Sequence, residues 1–116
     1  MPDGISRIGD RATFQAFRRT RWRCRQGPVA VAHVPATPGD DRVRVAYAVG
    51  RRVGGAVVRN RVRRQLRAVM RSLHAAGALS PGAYLVSVFP GADRLRFADL
   101  HRLVVGAVDR LGSRSR

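Results

Sequence analysis

Apolar residues at intervals of three and four predict a long helix in the middle of the chain. This spacing places them on one side of a helix, where they would pack against a core. They are Val58, Val62, Leu66, Val69 and Leu73, with Met70 at the edge of the stripe. The same intervals predict a helix near the C-terminus through Phe97, Leu100, Leu103, Val104, Val108 and Leu111. We expect the first helix to end at 75–77 and residues 112–116 to form a frayed tail.

A shorter helix and three strands complete the predicted elements. Asp10 can cap a helix over residues 11–19, in which Phe14 and Phe17 share one side. Short apolar runs predict strands at 29–34, 43–49 and 84–89, and the turn-rich loop between the first two predicts that they pair as a hairpin. The order helix, strand, strand, helix, strand, helix predicts a single domain over residues 1–116. Its expected architecture is an α/β two-layer sandwich, in which helices cover one sheet.

The polar side of the central helix consists almost entirely of arginine. Opposite Val58 lie Asn60, Arg61, Arg63, Arg64, Arg67 and Arg71, and Arg59 lies at the border. A solvated surface helix is the alternative interpretation, but such helices usually alternate the sign of their charges, and residues 42–92 contain no Asp or Glu. A guanidinium group donates paired hydrogen bonds to a phosphate and stacks on bases. The pattern therefore favours a polyanion as the partner of this helix.

Composition extends this conclusion to the whole chain. The net charge of +16 comes from 23 basic residues, all Arg, and 7 acidic residues, all Asp. So large an excess indicates a nucleic acid or an acidic membrane surface as partner. No apolar run approaches the roughly 20 residues that span a bilayer, and the N-terminus lacks the apolar segment of a signal peptide, so we expect a cytoplasmic protein without membrane insertion. The single Cys24 excludes an internal disulfide.

The sequence shows no pattern of catalytic side chains. His33, His74 and His101 fall on separate elements, whereas acid-base cleavage of RNA requires groups that reach one phosphate together. A two-metal nuclease requires clustered carboxylates, and only Asp40 and Asp41 are adjacent, in a loop where neighbouring side chains diverge. We therefore expect no catalytic residue and no metal site in the polypeptide.

Residues 46–67, with the sequence AYAVGRRVGGAVVRNRVRRQLR, resemble the signature of the bacterial ribonuclease P protein subunit. The shared features are a strand, two basic residues, a glycine turn and an Arg-Asn-Arg helix. The resemblance implies a fold like the second domain of ribosomal protein S5, with a left-handed βαβ crossover. It also implies RNA binding by the helix and the turn, through Arg51, Arg52, Arg59, Asn60, Arg61, Arg63, Arg64 and Arg67.

The same resemblance implies the partners. The chain would form a one-to-one complex with the catalytic RNA, which carries the chemistry and binds Mg²⁺, and would assist removal of the 5′ leader from precursor tRNA. A cleft between the first helix and the sheet would hold the leader, next to Phe14, Phe17, Arg18, Ala30 and Ala32. Either phenylalanine is a candidate for base stacking, and Arg63 and Arg67 are candidates for leader phosphates. Gly55 replaces a polar residue of the family pattern, and residues 30–33 lack its aromatic residue.

The sequence allows two interpretations of one segment and more than one function. The segment 18–25, which contains five arginines and Trp22, is either a flexible connector or a second RNA contact. The chain could also be a structural protein of the ribosome that binds ribosomal RNA, or a general nucleic-acid-binding protein. Copurification with ribosomal subunits, or equal affinity for duplex DNA and structured RNA, would distinguish these two functions from the first.

Overall fold

The computed structural model of the chain describes residues 4–114. They form a five-stranded sheet and three α-helices. In chain order the elements are β1 (Ile5–Arg7), α1 (Arg11–Arg19), β2 (Arg23–Gln26), β3 (Val29–Pro35), β4 (Val43–Val49), α2 (Ala56–Ala75), β5 (Gly82–Val88) and α3 (Phe97–Arg114), with short 3₁₀ turns at Arg51–Val53 and Ala92–Arg94.

The three predicted helices are confirmed. Asp10 caps α1 as expected, since its carboxylate accepts a hydrogen bond from the backbone N–H of Thr13 at 2.9 Å. The central helix ends at Ala75, where the apolar stripe ends. The last helix continues to Arg114, which is three residues into the segment 112–116 that was expected to fray, and residues 115–116 lie outside the described part of the chain.

The sheet order, β1-β4-β5-β3-β2, shows that the predicted hairpin of β3 and β4 is wrong. β5 lies between these two strands, antiparallel to β3 and parallel to β4. The loop that suggested a hairpin instead crosses the start of β5, where the backbone N–H of Gly82 donates to Arg42 and that of Ala36 donates to Pro81. β5 takes the central position because it is apolar enough to be buried between two neighbours.

Two short edge strands were not predicted. β2 forms a hairpin with β3 through Gly27, which has a φ of 56° that favours glycine. The β2 sequence RCRQ lacks alternating apolar residues, as is usual for an edge strand whose outer side faces water. β1 pairs in parallel with the first three residues of β4, in the register Ile5↔Val43. A strand of three residues carries too little pattern to be found from sequence.

The main core lies between one face of the sheet and the two long helices. Residues of α2 and α3 that are fully buried there are Val62, Leu66, Val69, Met70, Leu100 and Val104. They pack with the buried side chains of β3, β4 and β5, such as Val31, Val45 and Val86. Val58, predicted as part of the stripe, is half-buried at the edge of this core. The predicted apolar side of α2 is therefore confirmed from Val62 onwards.

The opposite face of the sheet is only partly covered. Side chains alternate between the two faces along a strand, so Val34, Arg44 and Ala83 point away from the core. α1 lies over this end of the sheet, where a groove is lined by these residues together with α1. The middle of the face, which includes Ala30 and Ala32, carries no helix in the described part of the chain. β4, α2 and β5 form the expected parallel βαβ unit, and the hand of its crossover stays a prediction.

Candidate RNA-binding surface

The arginines of α2 lie on the side of the helix opposite the core, as predicted. Asn60, Arg61, Arg64, Arg67 and Arg71 are exposed, and Arg59 and Arg63 are half-buried. Within the described residues, none of these arginines forms an ion pair, because the three salt bridges join Arg42 to Asp40, Arg44 to Asp10 and Arg102 to Asp99. The positive charge of this helix is therefore not compensated by a carboxylate of the chain.

Several of these guanidinium groups are oriented by neutral acceptors. Arg61 donates to the backbone oxygen of Asp93 at 2.8 Å, which joins α2 to the turn before α3. Arg63 donates to the side-chain oxygen of Asn60 at 3.2 Å and to the backbone oxygen of Val49 at 3.4 Å. The buried Nε of Arg59 has no hydrogen-bond partner among the described residues. Neutral acceptors fix the direction of a guanidinium group without cancelling its charge, so these arginines keep their attraction for anions.

The turn before α2 adds two further arginines and an open helix end. Arg51 and Arg52 are exposed in the 3₁₀ turn, which the buried Val53 ties to the core. Gly55 is the N-cap of α2 and supplies no side-chain hydrogen bond. The first-turn N–H groups of α2 thus lack a side-chain cap, and such groups attract anions. Gly54 cannot be replaced freely, because a Cβ there would approach Cγ1 of Val58 to 2.8 Å.

A basic groove of about 460 Å³ runs between α2 and the free edge of β4. This edge is open because β1 pairs only with residues 43–45. Arg7, Arg63 and Arg67 all line the groove, and the guanidinium of Arg67 lies 5.8 Å from the centre of the Tyr47 ring. Arg7 was not among the predicted site residues. Its position depends on the parallel pairing of β1 with β4, for which the sequence gives no signal.

The predicted cleft residues lie on the open face of the sheet and on α1. Ala30 and Ala32 line a groove of about 380 Å³ with Leu85 and Ser87, flanked by the arginines of β2. On α1, the ring of Phe14 is 41% exposed and that of Phe17 only 2%, and the two rings meet edge to face at 6.2 Å. Arg18 is exposed. The difference in exposure selects Phe14 as the ring that is available for stacking.

A hydrogen-bonded network fixes the start of α1 on the sheet. The carboxylate of Asp10 accepts from the hydroxyl and the N–H of Thr13 and from the guanidinium of Arg44, the latter at 2.9 Å. Arg44 also donates to the hydroxyl of Thr13 at 3.1 Å. The bonds from Thr13, and then that from Arg44, lower the pKa of Asp10 to about 2. The carboxylate of Asp10 is thus ionised at neutral pH and occupied by internal partners.

The three histidines lie apart from one another on separate elements. His33 is buried against Tyr84, with 4.2 Å between the ring centres, and burial lowers its pKa although its Nδ1 lies 3.1 Å from the backbone oxygen of Ala83. Burial also raises the pKa of Tyr84 to about 12. His101 contacts Phe97 on α3, and His74 lies near Gly4 at the C-terminal end of α2. Each histidine therefore lies on a different element, as the sequence indicated.

Among residues 4–114, no three His, Cys, Asp or Glu side chains come together as a metal site. The described helices include none that is long and apolar enough to span a bilayer.

Comparison with known proteins identifies the family. Residues 4–112 match the family model described as Ribonuclease P. The chain is 34% identical over 114 residues to the ribonuclease P protein component of a Nocardioides species, with 97% of both chains covered. It is 40% identical over 87 residues to that of Beutenbergia cavernae, covering 74% of this chain and 71% of the relative. With the Thermus thermophilus protein the identity is 41% over 108 residues, and the chain spans 60% of that relative's length.

Solved structures show the same fold. The ribonuclease P protein of Staphylococcus aureus superposes with a TM-score of 0.77 at 18% identity, covering 90% of this chain and 93% of the other. For the Thermotoga maritima protein the TM-score is 0.75 at 20% identity, and the match covers 90% of this chain and 96% of the other. These likenesses confirm the mixed α/β architecture, and the sequence matches identify the relatives. The chain therefore belongs to the ribonuclease P protein family.

Proposed function

We propose that this chain is the protein subunit of a ribonuclease P ribonucleoprotein, which removes the 5′ leader from precursor tRNA. The observation that carries the proposal is the row of arginines on α2, which face away from the core with no carboxylate partner among the described residues. A polyanion would supply the missing counter-charge. Because its relatives are ribonuclease P protein components, the RNA of that ribonucleoprotein is the first candidate.

In this proposal the exposed side of α2 and the turn before it bind the catalytic RNA. Arg51 and Arg52 lie beside the uncapped start of α2, where backbone N–H groups add to the attraction for phosphate. Arg59 contributes a further argument. Its buried, unpaired Nε costs about 1 to 3 kcal/mol of desolvation energy. A phosphate that drew this side chain towards solvent would remove that cost.

The 5′ leader would occupy the open face of the sheet beside α1. Phe14 offers an exposed ring, and stacking of one base on such a ring contributes about 1 to 3 kcal/mol. The small side chains of Ala30 and Ala32 let a strand approach the sheet closely. Arg7, Arg63 and Arg67 share the basic groove at the free edge of β4, so they would contact leader phosphates where the strand passes around this edge towards α2.

The division of labour follows from the same proposal. The RNA carries the chemistry and its Mg²⁺, and the polypeptide contributes binding alone, as one copy per RNA in the cytoplasm. No step is assigned to a metal bound by the chain.

Reconstitution tests the proposed function. A precursor tRNA is incubated at low magnesium with a bacterial ribonuclease P RNA, with this protein, or with both. We expect release of the 5′ leader only from the mixture, because the protein compensates for the scarce cation by supplying positive charge and by holding the leader. Cleavage by the protein alone would reveal a catalytic site in the chain. No stimulation, together with sedimentation on ribosomal subunits, would instead support a structural role in the ribosome.

A further inference from the structure

A second groove lies on the side of α1 that faces away from Phe14. We name it the Trp22 groove, because Trp22 forms one wall of its volume of about 530 Å³. Its floor is apolar and includes Ala16, Val34 and Pro35, and Arg19 and Arg21 are among the residues that line it. The groove does not overlap the set of residues that the family resemblance assigned to the leader cleft. It therefore needs its own explanation.

The segment that forms the wall is fixed on the sheet. The hydroxyl of Thr20 donates to the backbone oxygen of His33 at 2.6 Å and accepts from the N–H of Trp22 at 3.2 Å. The N–H of His33 in turn donates to the backbone oxygen of Trp22 at 2.8 Å. Two hydrogen bonds thus join this segment to β3, and the third holds Trp22 against Thr20 within the segment. Of the two alternatives that the sequence left open, a flexible connector does not fit this arrangement.

The chemistry of the groove suits a nucleobase and its phosphate. Trp22 is half-buried, with one part packed against the core, and the guanidinium of Arg21 lies 4.8 Å from the ring centre. An indole ring and a guanidinium plane are the two groups on which unpaired bases stack. Arg19 and Arg21 can donate to phosphate oxygens, and Gln15 at the rim carries both a donor and an acceptor for a base edge.

The outer side of α1 connects the leader cleft with the Trp22 groove. Arg11, Gln15, Arg18 and Arg19 are all exposed on this short helix, and α1 contains no acidic residue. A helix with its side chains is about 10 to 12 Å across, so an RNA strand that leaves the cleft crosses only a short basic surface before it reaches the groove. Basic residues in the last turn also stabilise a helix, but that role does not explain an apolar groove lined by tryptophan.

We propose that the Trp22 groove binds one unpaired nucleotide of the 5′ leader, farther from the cleavage site than the nucleotides held beside Phe14. This inference rests on the proposed function, since it requires that precursor tRNA is the substrate. Recognition is by stacking on Trp22 and by phosphate contacts of Arg19 and Arg21. It therefore depends on the length of the leader more than on its sequence.

Trp22 is the only tryptophan of the chain, so its fluorescence reports on this groove alone. The full chain is assembled with ribonuclease P RNA and titrated with precursor tRNA that carries a non-cleavable bond at the processing site. One substrate has a leader of a single nucleotide and the other a leader of about ten, a length within the range of known single-strand sites. We expect quenching of Trp22 on addition of the long-leader substrate and little change with the short one.

Variants complete the test. Trp22→Leu removes a stacking ring and Arg21→Ala removes a phosphate contact. Each is expected to weaken binding of the long-leader substrate about tenfold and to leave binding of the short-leader substrate unchanged. Arg21→Ala keeps Trp22 and its packing against the core, and so gives a result even if Trp22→Leu fails to fold. Arg110→Ala removes the same charge from the exposed side of α3 and serves as the control.

Three results would overturn the inference: equal quenching by both substrates, quenching by the RNA subunit before any substrate is added, or unchanged long-leader affinity in Arg21→Ala. The second of these would assign the groove to the catalytic RNA. Failure of the proposed function gives a different result, because then the protein would not strengthen binding of either substrate by the RNA.

Discussion

The arginines near α1 and those on α2 differ in what their side chains contact. Near α1, Arg44 binds Asp10 and Thr13, and Arg23 donates to the backbone oxygen of Phe17. On α2, in the described part of the chain, the guanidinium groups have neutral acceptors or none, and no carboxylate. Arginine side chains thus serve two purposes in this protein. Arginines with internal partners hold α1 on the sheet, whereas those of α2 keep a charge that only another molecule can neutralise.

This comparison predicts that changes to the internally bonded or buried residues around α1 alter stability and that changes to the unpaired arginines of α2 alter RNA binding. The largest effect is expected for Phe17→Ala. Removal of a phenylalanine ring that is 2% exposed leaves a cavity and should cost about 3 to 5 kcal/mol of unfolding free energy. Urea denaturation followed by circular dichroism measures it. Phe14→Ala is the matched control, with a small loss of stability and about tenfold weaker binding of precursor tRNA. Equal destabilisation by the two changes would contradict the assignment of the rings.

The next largest effect is expected when two arginines of α2 are replaced. Arg64→Ala combined with Arg67→Ala should weaken binding to ribonuclease P RNA by about a hundredfold, or roughly 1.4 kcal/mol for each contact. The slope of log affinity against log salt concentration should fall in magnitude by about two. Filter binding at several salt concentrations measures both quantities. The control pair Arg96→Ala and Arg110→Ala removes the same charge from the residue before α3 and from α3 itself, and should change the affinity and the salt slope much less. If both pairs lower affinity equally, binding depends on net charge alone.

A smaller effect is expected for Arg44→Ala. The ion pair with Asp10 is partly exposed to water, so its loss should lower the unfolding free energy only slightly. RNA affinity should change less than for one α2 arginine, because Asp10 already neutralises this guanidinium. Thermal unfolding and filter binding on the same sample compare the two effects. A loss of affinity as large as that of Arg67→Ala would place Arg44 in the RNA interface and remove the distinction between the two groups.

The smallest effect on stability is expected when acid protonates Asp10. The pKa of Asp10 in the folded protein is about 2, below its ordinary value of 3.8, because Thr13 and Arg44 donate to the ionised form. The stabilisation from this ionised group is therefore complete above pH 3.8 and is lost as the pH falls towards about 2. Asp10→Asn should flatten that part of the stability curve, measured as urea midpoints across this interval. An unchanged curve would show that Asp10 does not titrate with unfolding.

The helices could be predicted from the sequence because their signals are local. Val62, Leu66 and Val69 repeat with the period of a helix, and Asp10 lies where a cap is needed. The strand order could not be predicted, since the position of β5 between β3 and β4 depends on a strand that follows both of them by more than thirty residues. A local loop such as PATPGDD looks the same whether its strands pair with each other or with a third strand.

The candidate site likewise contains residues that could be predicted from the sequence and residues that could not. The basic residues of α2 and the turn before it could be found because they are contiguous in sequence. Arg7 could not be found, because it reaches the α2 arginines only through the pairing of β1 with β4. The choice between Phe14 and Phe17 also required the structure, since their spacing allows either ring to face the cleft. The position of Trp22 at a groove depends on α1 and β3 together.

Leader release at low magnesium by one ribonuclease P RNA, combined with each of three proteins, tests the central claim most directly. These are the natural chain, the Arg64→Ala and Arg67→Ala pair, and the Arg96→Ala and Arg110→Ala pair. We predict that the natural chain and the control pair Arg96→Ala and Arg110→Ala stimulate cleavage and that the α2 pair, although folded, does not at the same protein concentration. Equal stimulation by all three proteins would contradict the claim that the unpaired arginines of α2 bind the RNA.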